Sequence, residues 1–515
     1  MEGLFERLLK YYNLTKEEYD KRVLPPSFAS IPLINDDQMV KRAIARLQKA
    51  RQNREKVLIY GDYDTDGISS GSILLRSLKE FGIDVSGYLP SRYLDGYGLN
   101  PENVRKIASK GYKLIFTCDN GVTAHEALLL AKEIGIEVMI LDHHEFDETA
   151  PECDIVIHPT LLNYGETPIS AGYLSFLFSV ALLGRVDEYL LTLGALSTIS
   201  DMMPIHNYNR EIIRLMLEIV NKNQYPVFTL LTDKRHFEVS TFQMDIIPKL
   251  NAVGRLEKGP EINRLLKYFG DEESNKVALA NYFNEVNDHR KEITKTASEN
   301  LEINEQEAAV IVNANIPEGL NGLLASKLLN IYHKPIVVFS KQERNPEVLV
   351  GSCRSEEGFD VLKALDGVKT KLLSKGGHPF AAGVSISKED FSSFKKDFLY
   401  AAIKHKLSPK TKNEILLNLN ECNMQSYHII ESFGPFGFCW ETPKFLLKDL
   451  DPKTFTYIKE GRYLSVKLTS NTRLFSFSLG EDSFDLETKT DLSCTFRINE
   501  FRGSKNLDIL CEKAF

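Results

Sequence analysis

One stretch of the chain decides the fold: VLIYGDYDTDG at residues 57–67. Its first four residues are an apolar, β-type run, an acidic loop follows directly, and helical spacing begins near residue 72. Two later runs repeat an apolar strand followed by polar groups, KLIFTCDNG at 113–121 and EVMILDHHE at 137–145, and a fourth candidate strand lies at 154–158. Strands separated by helices indicate an α/β fold with a mostly parallel, doubly wound sheet.

Acidic residues and histidines follow the carboxyl ends of three of these strands. Ligands of open α/β sheets bind outside the carboxyl ends of the strands, so we expect these side chains to converge. Converging carboxylates repel one another unless a cation neutralises them. Asp oxygens with an imidazole suit Mn²⁺ or Mg²⁺ better than a structural zinc, and the number of acids favours two divalent cations, as in phosphoester cleavage. Each motif alone is more typical of a turn or a solvated loop, so the prediction depends on their conjunction.

The composition is that of a globular protein with several domains. The chain has 515 residues, of which 43% are hydrophobic and 26% charged, and this length exceeds one ordinary core. No stretch approaches the roughly 20 apolar residues of a membrane span, and the N-terminus reads as a first helix rather than a signal peptide, so a cytoplasmic location is expected. Seven scattered cysteines without a C-x-x-C pair favour reduced thiols. The net charge of −8 leaves the partner open.

Four segments follow one another along the chain. The acidic α/β pattern with its N-terminal helices covers residues 1–270, and a polar stretch without Gly or Pro at 271–303 predicts one long bridging helix. A second, smaller α/β domain is expected at 304–405, and short β-type runs at 406–515 predict an all-β barrel or sandwich. The segment 395–412 holds six lysines and is expected to be a basic connector, which either follows a DNA backbone or is a solvated surface.

The acidic motifs resemble those of a known enzyme family. GDYDTDG, CDNG and LDHH, in this order and spacing, resemble the first three motifs of the DHH phosphoesterases, and Asp201 in STISDMMP resembles the fourth. Further segments resemble the RecJ-type exonucleases of this superfamily: PSR at 90–92, GYGLN at 96–100, PKLNAVGRL at 248–256, VNDHR at 286–290, GSCRS at 351–355 and GGHPFAAG at 376–383. The resemblance implies a DHH domain, a bridging helix, a DHH-associated domain and a C-terminal OB-like domain.

The resemblance also implies roles for individual residues. The catalytic, metal-binding set would hold two divalent cations, Mn²⁺ or Mg²⁺, with Asp119 bridging them and Asp62 either a ligand or an acid beside them. This set comprises Asp62, Asp64, Asp66, Asp119, His143 and Asp201. His144 would meet the scissile phosphate. The substrate-binding set would grip DNA, and it comprises Arg92, Arg255, Ser352, Arg354, Gly376, Gly377 and His378. Of these, Arg92, Ser352 and Arg354 would hold the 5′-phosphate. A helix-capping Asp201 and an interior His378 are the competing interpretations.

A 5′→3′ exonuclease specific for single-stranded DNA, active in repair or recombination, is the function that the resemblance implies. Such an enzyme would be a monomer without membrane contact, and its protein partner would be a single-strand-binding protein or a helicase. One alternative is a nano-RNA or cyclic-dinucleotide phosphodiesterase, although those relatives are typically shorter. Another is an inactive repair or replication scaffold, although such proteins lose the metal ligands that are present here.

The chain also departs from the RecJ pattern. Lys249 stands where the family usually has Arg, and FCW at 438–440 replaces its G-x-N, which puts DNA affinity and the entry to the β-domain in question. Aromatic residues of the C-terminal segment either stack on bases or fill a core: Phe455, Tyr457, Tyr463, Phe475 and Phe477.

Overall fold

The computed structural model describes residues 3–356, 358–404, 413–501 and 504–513. Their contacts divide the chain into two compact units. The larger unit consists of Phe28–Met203 and Asn207–Lys410, and the smaller of Met1–Ser27, Pro204–His206 and Thr411–Phe515. Among the described residues, no helix combines the length and the apolar character that a membrane crossing requires.

The α-helices are, in chain order, α1 Leu4–Tyr11, α2 Lys16–Arg22, α3 Gln38–Asn53, α4 Thr65–Glu80, α5 Pro101–Ser109, α6 His125–Glu133, α7 Ala171–Leu183, α8 Glu188–Ser200, α9 Asn207–Asn223, α10 Pro226–Thr229, α11 Val239–Thr241, α12 Ile247–Leu256, α13 Arg264–Gly270, α14 Lys276–Asn300, α15 Asn321–Tyr332, α16 Val361–Asp366, α17 Phe391–Lys404 and α18 Met424–Glu431. The strands are β1 Lys56–Tyr60, β2 Asp84–Tyr88, β3 Leu114–Cys118, β4 Glu137–Leu141, β5 Ile155–Ile157, β6 Val310–Asn313, β7 Ile336–Lys341, β8 Val348–Arg354, β9 Ser374–His378, β10 Ala381–Ser387, β11 Ile415–Leu417, β12 Phe445–Leu450, β13 Tyr457–Ile458, β14 Tyr463–Lys467, β15 Thr472–Phe475, β16 Thr490–Phe501 and β17 Ser504–Lys513.

The first sheet of the larger unit has five parallel strands in the order β2-β1-β3-β4-β5. Strand β2 lies on one side of β1 and strand β3 on the other, so the direction of the strand order reverses at β1. Such a reversal leaves a crevice between the carboxyl ends of β1 and β3. The predicted doubly wound parallel sheet is confirmed. Strand β2 was not predicted, because this edge strand, DVSGY, is only partly buried and lacks a β-branched run.

Apolar helices hold this sheet rigid beneath the crevice. Helices α7 and α8 are buried over most of their lengths, which agrees with sequences that are apolar on every face. Phe116 of β3 and Phe178 of α7 are fully buried and pack edge to face, with ring centroids 5.5 Å apart. The loops at the carboxyl ends of the strands therefore project from a well-packed scaffold.

Helix α14 and a second sheet complete the larger unit. The predicted bridging helix exists and begins at an N-cap, Asn275, whose side chain accepts the backbone N–H of Ala278 at 3.0 Å. The second sheet has the order β6-β7-β8-β10-β9, in which only β6 and β7 are parallel. The predicted connector at 395–412 is wrong over its first part, since helix α17 extends to residue 404 and buries Phe394 and Phe398 in the core; residues 405–412 lie outside the described residues.

The smaller unit is built on a seven-stranded mixed sheet in the order β11-β12-β16-β17-β15-β14-β13. The expected boundaries grouped the N-terminal helices with residues 28–270, whereas their contacts join them to this sheet. Leu4 and Leu8 of α1 are buried in its core, because the apolar face of an amphipathic helix does not specify which sheet it covers. Trp440, at a departure from the family pattern, lies between Tyr12, stacked at 4.3 Å, and the guanidinium of Arg22 at 3.8 Å.

Candidate active site

The acidic loop after β1 is shaped by the start of α4. Asp64 is the N-cap of this helix, and its Oδ1 accepts the backbone N–H groups of Asp66 at 3.0 Å and Gly67 at 3.2 Å. A Cβ on Gly67 would lie 2.5 Å from the backbone N and O of Asp62, so only glycine permits this close approach. The D-x-D-x-D-G spacing thereby brings three carboxylates to one helix start.

Asp119 follows β3 directly, across the crevice from that loop. Its φ of 62° is left-handed, a conformation that Asp tolerates better than most residues. The neighbouring Asn120 is buried and donates from Nδ2 to the carbonyl oxygens of Tyr60 at 3.2 Å, Gly61 at 3.1 Å and Cys118 at 2.9 Å. This amide therefore ties the end of β3 to the end of β1 and fixes the position of Asp119.

Three carboxylates from different elements meet at one imidazole. The Nε2 atom of His143, after β4, lies 3.5 Å from Oδ2 of Asp66, 3.4 Å from Oδ1 of Asp119 and 3.5 Å from Oδ2 of Asp201. Asp201 is the C-cap residue of α8, but it caps through its backbone N–H, which donates to the carbonyl oxygen of Ser197 at 2.9 Å, and its side chain is left to face His143. The side chains of Asp62 and Asp64 reach within 4.8 Å of Asp119.

Several atoms of this cluster are buried but have no hydrogen-bond partner among the described residues: Oδ1 of Asp62, Oδ1 of Asp119, Nε2 of His143 and Oδ2 of Asp201. Buried polar atoms are almost always paired in native proteins. Carboxylate oxygens, with an imidazole nitrogen beside them, are ligand atoms that suit Mn²⁺ and Mg²⁺. The residues present therefore fit a divalent metal centre.

The electrostatics of the cluster also favour bound cations. Burial and then the charge of Asp64 raise the pKa of Asp62 well above the usual carboxyl range, and burial and then the charge of Asp66 do the same to the pKa of Asp119. Burial, followed by the charges of Asp66 and Asp64, raises the pKa of Asp201 to about 8. These carboxylates are thus costly to keep ionised without a counter-charge, and a divalent cation would supply one.

Asp66 is held differently from its neighbours. It accepts the backbone N–H of Ala171 at 2.9 Å and of Gly172 at 2.7 Å, at the N-terminus of α7, and the hydroxyl of Ser197 at 2.5 Å. Amide donors at a helix N-terminus favour negative charge. The partners of Asp66 are more than a hundred residues away in the sequence, so the local pattern does not reveal them.

Asp142 and His144 form a pair beside the cluster. Oδ1 of Asp142 accepts from Nδ1 of His144 at 2.8 Å and from the backbone N–H of His143 at 2.8 Å, and Oδ2 accepts the N–H of Val122 at 3.1 Å. Burial alone would lower the pKa of His144, but the hydrogen bond to Asp142 and its charge raise it to about 9. The opposite ring atom, Nε2, lies 3.3 Å from the hydroxyl of Tyr97. The role of Asp142 was missed in the sequence, although it is the first letter of the Asp-His-His motif.

The predicted phosphate-binding arginines lie in the same unit as the carboxylates. The guanidinium of Arg92 lies 4.4 Å from the ring centroid of Tyr63, and Arg255 donates from Nη1 to the carbonyl of Gly319 at 3.1 Å. Burial and then the charge of Arg92 lower the pKa of Arg255 to about 10. Arg354 donates from Nη1 to the hydroxyl of Ser352 at 3.1 Å, so these two side chains of β8 are in contact.

The glycine-rich segment has a separate position. Gly376, Gly377 and His378 lie on β9, the outermost strand of its sheet, and all three are exposed. An interior His378 is therefore the wrong interpretation. Gly377 has a φ of 130°, and a Cβ there would lie 2.4 Å from the carbonyl oxygen of Ala381, which explains the glycine. Among the described residues, no hydrogen bond or ion pair joins β9 to the carboxylate cluster.

The segment PKLNAVGRL supports the acidic loop from α12. Oδ1 of Asn251 accepts the backbone N–H of Thr65 at 2.9 Å and its hydroxyl at 2.7 Å, so this asparagine secures the first turn of α4. Lys249, where the family usually has Arg, donates from Nζ to the carbonyl of Leu231 at 2.5 Å. The lysine therefore contacts the backbone of its own unit.

Comparison with known families gives matches over three parts of the chain. Residues 56–189 match the DHH family, N-terminal domain; residues 307–404 match the DHHA1 domain; and residues 414–513 match the RecJ OB domain. These matches confirm the family resemblance and the three-part order of an α/β domain, a smaller DHH-associated domain and an OB domain.

Three curated relatives of the chain are single-stranded-DNA-specific exonucleases named RecJ. The chain is 28% identical to the single-stranded-DNA-specific exonuclease RecJ of Haemophilus influenzae, over 93% of this chain and 91% of that protein. It is 27% identical to the Escherichia coli protein of the same name, over 92% and 89%. The Bacillus subtilis RecJ is 30% identical over 80% of this chain, which spans 54% of that relative.

Solved structures show the same fold. The RecJ of Thermus thermophilus in complex with Mn²⁺ matches with a TM-score of 0.81 at 22% identity, over 98% of this chain and 77% of that one. A structure of exonuclease RecJ bound to manganese matches with a TM-score of 0.62 at 26% identity, over 74% of this chain and 97% of that one.

Proposed function

Because the chain belongs to the DHH family and carries DHHA1 and RecJ OB domains in this order, we propose that it is a single-stranded-DNA-specific exonuclease. It hydrolyses phosphodiester bonds from the 5′ end, in DNA repair and recombination. The observation that carries the proposal is the set of buried, unpartnered oxygen and imidazole atoms in the same unit as a cluster of arginines. The first suits metal-dependent phosphoester cleavage, and the second suits a phosphate-bearing strand end.

The metal-binding role falls to the converging side chains, which would hold two divalent cations, Mn²⁺ or Mg²⁺: Asp62, Asp64, Asp66, Asp119, His143 and Asp201. When bound, the cations supply an activated water and offset charge on the attacking and leaving oxygens. Three features position these ligands: the N-cap of α4, the hydrogen bonds from the side-chain amide of Asn120, and the N-terminus of α7.

In this proposal His144 and the arginines bind the phosphate groups of the substrate. The hydrogen bond from His144 to Asp142 favours the protonated ring and orients it, so that His144 can donate a hydrogen bond to an oxygen of the scissile phosphate. The guanidinium forks of Arg92 and Arg354, with the hydroxyl of Ser352, bind the terminal 5′-phosphate, and Arg255 binds beside them. The exposed strand β9 presents Gly376, Gly377 and His378 to the strand being degraded.

Two features support a nuclease over the alternatives. The OB domain and the coverage of about nine-tenths of the Haemophilus and Escherichia relatives favour a polynucleotide substrate over a cyclic dinucleotide or nano-RNA. The carboxylates and His143 are present and converge, which a disabled scaffold does not require. Of the C-terminal aromatics, Phe475 is buried, whereas Phe477 is 66% exposed and remains a candidate for base stacking.

The cellular setting is part of the same proposal. All seven cysteines are free thiols, which suits a reducing compartment, so we propose a cytoplasmic location. The proposed protein acts as a monomer. A single-strand-binding protein or a helicase would present the strand. The proposed working segments are residues 28–270 for the metal centre, 271–303 for the bridging helix, 304–405 for substrate binding and 406–515 for the OB domain.

A direct competition tests the function. The purified protein with Mn²⁺ is offered 5′-phosphorylated single-stranded DNA, the same sequence as a blunt duplex, and a cyclic dinucleotide. We expect mononucleotides from the single strand, little product from the duplex and little from the dinucleotide. Faster turnover of the cyclic dinucleotide would identify a small-substrate phosphodiesterase, and no turnover of any substrate would favour the scaffold.

A further inference from the structure

Four arginines, rather than three, surround the proposed phosphate site. The charges that act on Arg255 include those of Arg92, Arg290 and Arg354, so these three guanidinium groups lie in the neighbourhood of Arg255. Among the residues that the structure describes, none of the four makes an ion pair with a carboxylate. The charges of Asp64 and Asp288 act on Arg255 and Arg290 and offset part of the repulsion among these like charges. Phosphate groups are the ligands that guanidinium forks match best.

Arg290 reaches this cluster from the long helix. Helix α14 packs against α12, with Ile293 and Leu256 on the same apolar core. Arg290 lies one turn before Ile293 and therefore on the same side of α14, and Arg255 is the neighbour of Leu256 on α12. The guanidinium of Arg290 is anchored on its own helix, since Nε donates to Oδ1 of the buried Asn287 at 3.0 Å. Among the described residues, this is the hydrogen bond that the Arg290 guanidinium makes, and it leaves both Nη groups for a ligand.

The charge of the cluster exceeds what one terminal phosphate requires. A phosphate monoester carries roughly −1.5 to −2 at neutral pH, because its second pKa is about 6. Four guanidinium groups supply four positive charges. A phosphodiester adds one negative charge per nucleotide, so a strand that places its terminal phosphate and at least one internal phosphate here balances the cluster better than a terminal phosphate alone.

We propose that Arg290, positioned by Asn287, binds an internal phosphodiester of the DNA strand while Arg92 and Arg354 bind its 5′-terminal phosphate. The inference rests on the proposed nuclease function and extends it, because it assigns a substrate contact to the bridging helix. It predicts that binding through Arg290 is independent of the group at the 5′ end.

The test compares Arg290→Ala with Arg354→Ala on two oligonucleotides that differ only in a 5′-phosphate or a 5′-hydroxyl. We expect Arg290→Ala to lower kcat/KM for both by the same factor, about tenfold to a hundredfold, mainly through KM. The plot of log kcat/KM against log salt concentration should lose about 0.7 of its slope for the one phosphate contact removed. Arg290→Lys should recover that slope, because it keeps the charge, and recover the rate only in part.

Lys291→Ala is the matched control, since Lys291 is an exposed neighbour on the same helix that pairs with Asp288 at 3.6 Å. A loss confined to the 5′-phosphorylated substrate would overturn the internal assignment. An unchanged salt slope in Arg290→Ala, with a lowered melting temperature that Arg290→Lys does not restore, would make Arg290 structural only. Wild-type protein that fails to cleave either oligonucleotide would instead overturn the proposed function, so the two failures are distinct.

Discussion

Replacing Asp119 by Asn should stabilise the protein without metal and destabilise it with metal. Asn has nearly the same shape and tolerates the left-handed φ of 62° at this position, so the substitution removes a charge with little change in backbone strain. The pKa of Asp119 is well above the usual carboxyl range, owing first to burial and then to the charges of Asp66, Asp64 and Asp62. Its ionised form therefore costs folding free energy when no cation is bound.

The size of the effect follows from the spacing. Ligand atoms of Asp62, Asp64 and Asp119 lie within 4.8 Å of one another, and two unit charges at that distance repel by about 3.5 kcal/mol at an effective dielectric constant of 20. Protonation relieves part of this repulsion, which leaves an expected gain of about 1–3 kcal/mol for the variant in EDTA. With saturating Mn²⁺ the sign reverses, because ligand binding at a hundred times Kd contributes about 2.7 kcal/mol and the variant loses much of it.

Thermal unfolding at pH 8 measures both effects: the variant should melt above the wild type in EDTA and below it in Mn²⁺. A carboxyl whose folded pKa is raised costs stability only once the pH rises above the unfolded pKa of about 4, so the advantage of the variant in EDTA should shrink toward pH 5. Asp84→Asn, at the exposed first residue of β2, is the control and should change neither melting temperature by more than about 1 °C. If Asp119→Asn melts below the wild type in EDTA as well as in Mn²⁺, the carboxylates do not repel one another as argued.

Three further predictions concern other parts of the chain. Arg354→Ala should abolish the preference for a 5′-phosphate over a 5′-hydroxyl end, seen as the ratio of the two kcat/KM values; an unchanged ratio would place the end pocket elsewhere. Tyr12→Leu removes the ring stacked 4.3 Å from Trp440, so it should lower the stability of the smaller unit by about 1–3 kcal/mol and change the emission of this sole tryptophan, followed in urea; an unaltered spectrum would contradict the stack. Gly67→Ala would bring a Cβ to 2.5 Å from the backbone of Asp62 and should abolish hydrolysis and Mn²⁺ binding, measured calorimetrically; wild-type affinity would show that the loop shifts at little cost.

Much of the fold could be predicted because local pattern and global arrangement agree. Strands β1, β3, β4 and β5 are apolar runs bounded by turn residues, and parallel pairing brings their carboxyl ends to one edge of the sheet. That geometry is why Asp64 and Asp119, more than fifty residues apart, could be assigned to one site from spacing alone. Strand β2 escaped prediction because it pairs with one neighbour and because Asp84, Ser86 and Gly87 interrupt its two strand-forming residues, Val85 and Tyr88.

The parts that could not be predicted depend on which surfaces meet. The apolar face of α1 required a partner, but nothing in its sequence distinguishes the first sheet from the C-terminal one. The convergence of Arg290 with Arg255 likewise depends on how α14 packs against α12. Side-chain partners far apart in sequence, such as Asp66 and the N–H groups of residues 171 and 172, are invisible to a pattern that extends only over neighbours.

The Asp-His-His tripeptide shows how one motif can serve three physical roles. All three residues follow β4 directly, and their side chains have different surroundings. Asp142 points inward and is 1% exposed, so its carboxylate accepts hydrogen bonds and orients the neighbouring ring. His143 faces the carboxylates of the proposed metal centre, whereas the side chain of His144 is 44% exposed and available to a substrate. Substitutions at the three positions should therefore impair different properties. A change at Asp142 should alter the pKa and orientation of His144, a change at His143 should lower metal affinity, and a change at His144 should lower the reaction rate.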